Sequence, residues 1–218
     1  MDFNGQKTPS DSSSPSSPSK LVLYSYWQSS CSWRVRFALN VKGLSYEYKS
    51  VNLVKGEQFS PGEFRDLYLT TSVDISREYL EEKYPQKALL PLDPRLKAVN
   101  LQAASIISSS IQPLQMLSVL KYIEEKVGRE ERLSWAVYYV EKGFFALEKL
   151  LEDCVGRYAT GEEVYMADVF LAPQIAIAIA RIDIDMSKFP LLSRIYESCK
   201  ALPEFQASSP ERQPDAAQ

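Results

Sequence analysis

The sequence LVLYSYWQSSCSWRVRFALNVKGLSYEYKSV, residues 21–51, decides the fold because it places two short strand patterns on either side of one helical pattern. Residues 21–24 form an apolar run typical of a strand, and the polar string YSYWQSS interrupts this run as a loop. Residues 31–43 have helical spacing, with serines at the start and Gly43 placed as a C-terminal cap. Residues 46–51 alternate apolar and polar side chains, as on a half-buried strand. The stretch therefore predicts a β-α-β unit with a parallel sheet.

The remainder of the chain predicts helices. Pro113 is expected to bend the first of them, because proline lacks the backbone donor and crowds the preceding turn. Beyond Pro91, apolar residues recur at helical spacing over 98–127, 133–151 and 166–182. The predicted organisation is a disordered Ser/Pro-rich tail at 1–19, a first domain at 20–85, a helical domain at 92–207 and a flexible tail at 208–218.

Composition limits the expected partners and location. The 218 residues carry a formal net charge of −3 with interspersed signs, so no basic stripe for nucleic acid is expected. The longest apolar stretch, around residues 169–182, is broken by Pro173 and is shorter than the roughly 20 residues that span a bilayer. Residues 1–19 carry no apolar block of a signal peptide. We therefore expect a cytoplasmic protein with neither a nucleic-acid nor a membrane partner.

Histidine and cysteine usage restrict the chemistry. The chain contains no histidine, which excludes the Ser-His-Asp and Cys-His arrangements that activate many protein nucleophiles. The three cysteines, Cys31, Cys154 and Cys199, lie far apart and lack the spacing of a disulfide framework or a zinc site. No metal is expected, and any nucleophile must be activated in another way.

The four residues Ser29 to Ser32 stand where the first loop meets the first helix. Backbone N–H groups and the positive end of the helix dipole point outward there, so an anion would be stabilised. A simpler interpretation is that one serine caps the helix and the others are solvated. Position alone leaves both interpretations open.

The wider sequence around these serines resembles the zeta-class glutathione transferases, the maleylacetoacetate isomerases. The strings YSYWQSSCSWRVRFAL (24–39) and KGLSYEYKSVNLVKGEQF (42–59) are similar to the N-terminal signature of that family. The resemblance resumes in YLEEKYP, SIQPLQ, LSWA, GFFALEKLL, ATGEEVYMADVFLAPQI and the terminal RQPD. It thus covers most of residues 20–215.

This resemblance implies a glutathione transferase fold. An α/β N-terminal thioredoxin-like domain, truncated here, would hold glutathione, and an all-α C-terminal domain would hold a small acidic electrophile. The resemblance also implies a homodimer. The implied reaction is glutathione-dependent cis–trans isomerisation of maleylacetoacetate-like conjugated acids, in tyrosine and phenylalanine catabolism, in which a thiolate adds across one double bond and leaves after rotation.

Site residues are carried over from the same resemblance. Ser29 matches the catalytic serine, whose hydroxyl would donate to the glutathione sulfur, and Cys31 would supply a second thiol. Arg34 could hold an acidic substrate through two hydrogen bonds. Cys31 could equally be a small residue that packs at the start of the helix. Gln112 and Ser118 could equally be solvated residues on a helix surface. The residues implied to contact glutathione are Ser30, Ser32, Trp33, Arg34, Gln58, Gln112 and Ser118.

Two further groups are predicted to be structural. Asp168 stands at the start of an apolar helix, where its carboxylate can accept an orphan backbone N–H. Five aromatic residues have spacings that mostly suit one core face of a helix, in preference to a ligand pocket. They are Trp135, Tyr138, Tyr139, Phe144 and Phe145.

The segment between Gln58 and Tyr79 departs from the family pattern. A Val-Pro loop with a cis proline, a β-hairpin and an acidic residue followed by Ser are not recognisable there, and Pro61 is the only proline between Asn52 and Tyr84. In the family these features anchor glutathione. Losing two neutral and two charge-assisted hydrogen bonds would remove roughly 6 kcal/mol, on the order of 10⁴ in affinity. The alternative is therefore a non-catalytic homologue that acts as a binding or dimerisation partner.

Overall fold

The computed structural model describes residues 21–59 and 79–216. The predicted tail at 1–19 and nearly all of the departing segment, residues 60–78, lie outside the described residues. Strand β1 (Leu21–Ser25) and strand β2 (Tyr46–Ser50) pair in parallel, with helix α1 (Ser30–Lys42) between them in the chain. The predicted β-α-β unit is confirmed.

Local signals at both ends explain α1. Ser29 caps the N-terminus, since its Oγ accepts a hydrogen bond from the Ser32 N–H at 3.2 Å. Gly43 ends the helix at φ 68°, a left-handed conformation that glycine adopts without a Cβ clash. Its N–H reaches the carbonyl oxygens of Leu39 and Asn40. The caps lie where the sequence predicts them.

The region after residue 91 is helical, as predicted. A short helical segment at 79–83 precedes it. Among the described residues no single helix is long and apolar enough to cross a membrane, and one bent pair, Pro94–Gln115 with Leu117–Lys126, meets that test only by combined length and composition. The helices are α2 (Pro94–Ser105), α3 (Leu117–Lys126), α4 (Arg129–Leu151), α5 (Met166–Ile182), α6 (Pro190–Lys200) and α7 (Pro203–Ser208).

The sequence predicts a bend in one helix at Pro113, and the structure shows an interruption of the α-helix there instead. A π-helical turn spans Ile106–Ile111 and a 3₁₀ turn spans Gln112–Gln115, so α2 and α3 are separate helices. Because proline cannot donate to the carbonyl four residues earlier, the turn before it widens. The interruption presents Gln112 and Gln115 between two helices.

The core of the helical region has an aliphatic and small-residue stripe on α4. The predicted aromatic core face is wrong for Tyr138 and Phe145, which are 58% and 52% exposed, whereas Phe144 is fully buried. Residues three or four apart share a helix face. The residues of α4 that have this spacing and are buried are mainly not aromatic. The buried α4 residues are Ala136, Val140, Gly143, Phe144, Leu147 and Leu151.

Asp168 has the predicted structural role. Its carboxylate accepts the Tyr165 N–H at 3.0 Å and the Ala159 N–H at 2.8 Å, and the residue is fully buried. Burial raises the pKa of this carboxyl to about 7, although the two N–H bonds act in the opposite direction. Asp168 thus joins the start of α5 to the preceding loop.

The prediction of a flexible tail from residue 208 is wrong for residues 208–216, here called the C-terminal segment. Ser208, Gln213 and Asp215 are buried. The Gln213 amide donates to the Ala207 and Ser209 carbonyl oxygens at 3.1 and 2.7 Å. The segment is polar and contains proline, but its buried polar side chains, those of Ser208, Gln213 and Asp215, find hydrogen-bond partners within the fold.

Candidate functional site

The N-terminal mouth of α1 brings together Ser29, Ser30, Cys31 and Ser32, all half-buried. The Ser29 N–H donates to the Tyr26 carbonyl oxygen at 3.0 Å. Its Oγ accepts from the Ser32 N–H, so the hydroxyl hydrogen of Ser29 remains available to donate elsewhere. The first amides of a helix have no acceptor inside it, and they strengthen a positive potential at this point. The mouth can stabilise an anion.

Three sequence-predicted residues meet beside this mouth. The Gln112 Nε2 donates to the Cys31 Sγ, and the Arg34 Nη1 donates to the Gln112 Oε1. Gln112 therefore joins the cysteine of α1 to the buried arginine one turn further along the same helix. The interrupted helix around Pro113 positions this glutamine, which connects the strand unit with the helical region.

Arg34 is fully buried and held by the helical region. Its Nη2 donates to the Gln174 Oε1 at 3.2 Å, and its guanidinium lies 5.3 Å from the centre of the Phe170 ring. Gln115 donates to the same Gln174 oxygen at 2.8 Å. Because each terminal nitrogen already donates to an amide, Arg34 acts first as an anchor for Gln112. That Arg34 also binds a carboxylate of the substrate stays a prediction.

Sequence reasoning missed Gln115, Gln174 and Arg36 as residues that organise the site. Both glutamines occur in strings that carry the family resemblance, SIQPLQ and APQI, which was the available signal. Arg36 is buried two positions after Arg34, a placement that charged residues rarely take without hydrogen-bond partners.

Other predicted contact residues lie elsewhere. The Trp33 side chain is buried against Phe205, with ring centres 5.0 Å apart, and its Nε1 donates to the Ser208 Oγ at 2.9 Å. Its indole therefore packs towards α7, and the prediction that Trp33 contacts glutathione stays a prediction. Ser118 is exposed on α3. The Gln58 Oε1 is buried and accepts no hydrogen bond from the described residues.

A cleft of about 640 Å³ lies on another side of the loop that precedes Ser29. Trp27, Gln28 and Arg181 line it together with residues of α6, α7 and the C-terminal segment. The Arg181 Nη2 donates to the Gln28 carbonyl oxygen at 3.0 Å. Ser29 and Cys31 are not among its lining residues, so the candidate catalytic groups lie outside this cleft.

Comparison with known proteins shows the family of the chain. A family described as "Glutathione S-transferase, N-terminal domain" matches residues 19–67. A "Glutathione S-transferase zeta class" protein of Euphorbia esula is 55% identical over 93% of this chain and 95% of its own length. A maleylacetoacetate isomerase of Rattus norvegicus is 46% identical over 90% and 95%.

A solved structure is similar as well. The maleylacetoacetate isomerase of Anaeromyxobacter dehalogenans 2CP-1, with bound GSH in its active site, has a TM-score of 0.82 and 38% identity. The match covers 90% of this chain and 98% of that chain. Because relatives at this identity span nearly the whole chain, the protein described here belongs to the zeta class of the glutathione S-transferases.

Proposed function

We propose that this chain catalyses glutathione-dependent cis–trans isomerisation of a maleylacetoacetate-like conjugated acid. The observation that carries the proposal is the Ser29 hydroxyl. Its oxygen is engaged as the helix cap, while its hydrogen remains available to a sulfur anion at the positive end of α1. The relatives named above, among them maleylacetoacetate isomerases, support the same chemistry.

The residues at the mouth fit the sulfur end of glutathione. The Ser29 hydroxyl and the first amides of α1 favour a thiolate over a thiol. A free thiol has a pKa of about 8.5, and a decrease of one or two units would make much of it reactive near pH 7. When bound, glutathione supplies the thiolate that adds reversibly to a conjugated double bond and so permits rotation. The absence of histidine is compatible with this route, because a hydroxyl donor and the helix dipole lower the pKa of the thiol, and its proton then passes to water without a basic side chain.

Gln112, Arg34 and Gln174 support the choice of an acidic substrate. Gln112 contacts the Cys31 thiol, and the buried Arg34 guanidinium and then Gln174 follow it in one chain of hydrogen bonds. The Gln174 Nε2 is buried and, within the described ranges, has no acceptor. A carboxylate bound beside Cys31 would be attracted by the positive charge of Arg34, which lies one hydrogen bond behind Gln112. We assign Ser29 the thiolate-stabilising role and Cys31 the role of a second thiol.

The assembly and location form part of the same proposal. We infer a homodimer, as the family resemblance implies, and a cytoplasmic location, as the sequence analysis predicts. Light scattering of the purified chain tests the dimer, because a mass near twice 24.7 kDa is expected.

The decisive experiment is to assay the purified full-length chain with the cis acid, with and without glutathione. We expect isomerisation that requires glutathione and consumes no thiol. Calorimetric titration with glutathione, beside the Euphorbia esula relative, is measured in parallel. No turnover, with binding weaker by on the order of 10⁴, would favour the non-catalytic homologue and overturn the proposal.

A further inference from the structure

The loop from Tyr26 to Ser29, here called the Ser29 loop, is held by partners on several sides. Both backbone groups of Trp27 are engaged by charged side chains. Its carbonyl oxygen accepts from the Arg36 Nη2 at 3.2 Å, and its N–H donates to the Asp215 Oδ2 at 3.1 Å. Trp27 lies two positions before Ser29, so these two bonds set the path by which the chain reaches the cap.

Asp215 comes from the other end of the chain. It lies 188 residues after Trp27 and is only 7% exposed. Its second oxygen, Oδ1, accepts from the Tyr48 hydroxyl at 2.6 Å. One carboxylate therefore connects the Ser29 loop with strand β2, and neither of its oxygens is left without a donor. Burial, and next the hydrogen bond to Asp215, raise the pKa of the Tyr48 hydroxyl, so that hydroxyl remains a donor.

Arg36 completes the arrangement from inside α1. It is fully buried, and it donates to the Ser25 Oγ at 2.9 Å and to the Ser208 carbonyl oxygen at 3.0 Å. Burial lowers the pKa of Arg36, while Tyr48 and Asp215 oppose that effect. The Asp215 charge thus favours the cationic guanidinium that holds the carbonyl group of Trp27. Cation and anion hold the same loop residue at its two backbone groups.

We propose that Asp215 is a positioning residue for Ser29: its carboxylate fastens the Ser29 loop to the C-terminal segment and so fixes the cap hydroxyl for thiolate stabilisation. Asp215 makes no contact with the reacting atoms and acts through the Trp27 N–H. The inference rests on the proposed function, but its mechanical part, fixation of the loop, is separable from turnover.

The test compares Asp215→Ala with wild type in the full-length chain by two readouts. Hydrogen exchange of the Trp27 amide should become about tenfold faster or more, because a charge-assisted hydrogen bond is lost. The turnover number per folded molecule should fall about 10- to 100-fold, since small misplacement of a catalytic group has effects of that size. The KM for the acid should change much less. A merely structural residue would lower the folded fraction and leave kcat per folded molecule unchanged.

Matched variants keep the test informative if Asp215→Ala folds poorly. Asp215→Asn retains one acceptor oxygen and should give intermediate values of both readouts, and Tyr48→Phe should give a smaller change. Glu148→Ala is the control, because Glu148 also accepts a backbone N–H, from Leu192 at 2.8 Å, but lies on α4. It should leave Trp27 exchange and kcat unchanged.

Each outcome decides the matter. Unchanged Trp27 exchange in the Asp215 variants would overturn the inference, as would faster exchange with an unchanged kcat. If the wild type shows no glutathione-dependent turnover, the proposed function fails. In that case the exchange measurement still decides whether Asp215 holds the loop.

Discussion

The strand unit, residues 21–59, and the helical region after residue 91 are stabilised in different ways. The buried apolar residues form one core cluster, and the helical region supplies most of its members, among them the almost fully buried Phe144, Phe170 and Phe189. The strand unit has a sheet of two strands in the described part of the chain, and its helix packs against residues distant in sequence. Asn40, for instance, donates to the Glu204 carbonyl oxygen at 3.0 Å.

This difference separates stability from chemistry. The candidate catalytic serine and cysteine belong to the strand unit, while most of the buried apolar residues belong to the helical region. Contacts from Gln112 and Asp215 position the mouth of α1 from outside the unit. Substitutions in the helical core should therefore act mainly on unfolding, and substitutions at the mouth mainly on turnover.

Phe144→Ala should give the largest effect on stability. Removing a fully buried phenylalanine from the helical core typically lowers the free energy of unfolding by about 3 to 5 kcal/mol. The neighbouring Phe145, 52% exposed, is a matched control, and Phe145→Ala should lower it by less than about 1 kcal/mol. Urea unfolding measures both. Equal losses would show that the core does not follow the α4 stripe described above.

Ser29→Ala tests the other side of the comparison. We expect turnover to fall about 100-fold, because one hydrogen-bond donor to a developing anion is removed. Stability should fall by only about 1 kcal/mol through the lost cap. Ser32→Ala is the control, since its Oγ only accepts the Tyr26 N–H at 3.5 Å. Steady-state rates that fall equally in both variants would contradict the role of Ser29.

The pH dependence of unfolding should report on Asp168 in the helical region. Its pKa is about 7 in the folded protein against 3.8 for a free carboxyl, so the folded state binds the extra proton. The free energy of unfolding should then fall as pH rises from about 4 to about 7, with a slope approaching 1.4 kcal/mol per pH unit. Asp168→Asn should remove this contribution. A wild-type profile that matches the variant would mean that the two N–H bonds keep the carboxylate ionised.

Gly143→Ala should give the smallest effect and distinguish two opposing terms. Alanine favours a helix over glycine by about 1 kcal/mol, but the added Cβ would overlap the Ile111 side chain. Overpacking costs about 1 to 3 kcal/mol, so we expect a net loss of about 1 kcal/mol in thermal or urea unfolding. Ile111→Val in the same chain should recover part of it. A net gain would mean that the π-turn carrying Ile111 yields easily.

Local signals made the strand unit predictable. The Ser29 cap, the Gly43 cap and the strand patterns depend on neighbouring residues, and the structure contains all of them. At the mouth, the adjacency of Cys31 and Ser29 follows from the chain itself. The family resemblance placed Gln112 near the bound tripeptide, but its contact with Cys31 was not predicted, because 81 residues separate the two.

Non-local contacts explain what sequence reasoning missed. The C-terminal segment has the composition of a loose tail, yet Trp33, Arg36 and Tyr48 supply partners for its polar groups. The aromatic residues of α4 were predicted to be buried, but an aromatic side chain can also lie at the surface. Exposed Tyr138, for example, contacts Tyr139, with 5.0 Å between the ring centres. Neither outcome is encoded in a short window of sequence.

The two arginines of α1 also fix how far this helix can turn about its own axis. Arg34 and Arg36 project about 200° apart around the helix at 100° per residue. Each is fully buried, one bonded to Gln112 in the helical region and the other to Ser208 in the C-terminal segment. A rotation of α1 in either sense would withdraw a buried guanidinium from its acceptors, which is costly. Cys31 lies one turn before Arg34 on the same helix. The two arginines therefore also hold Cys31 in the orientation in which it faces Gln112.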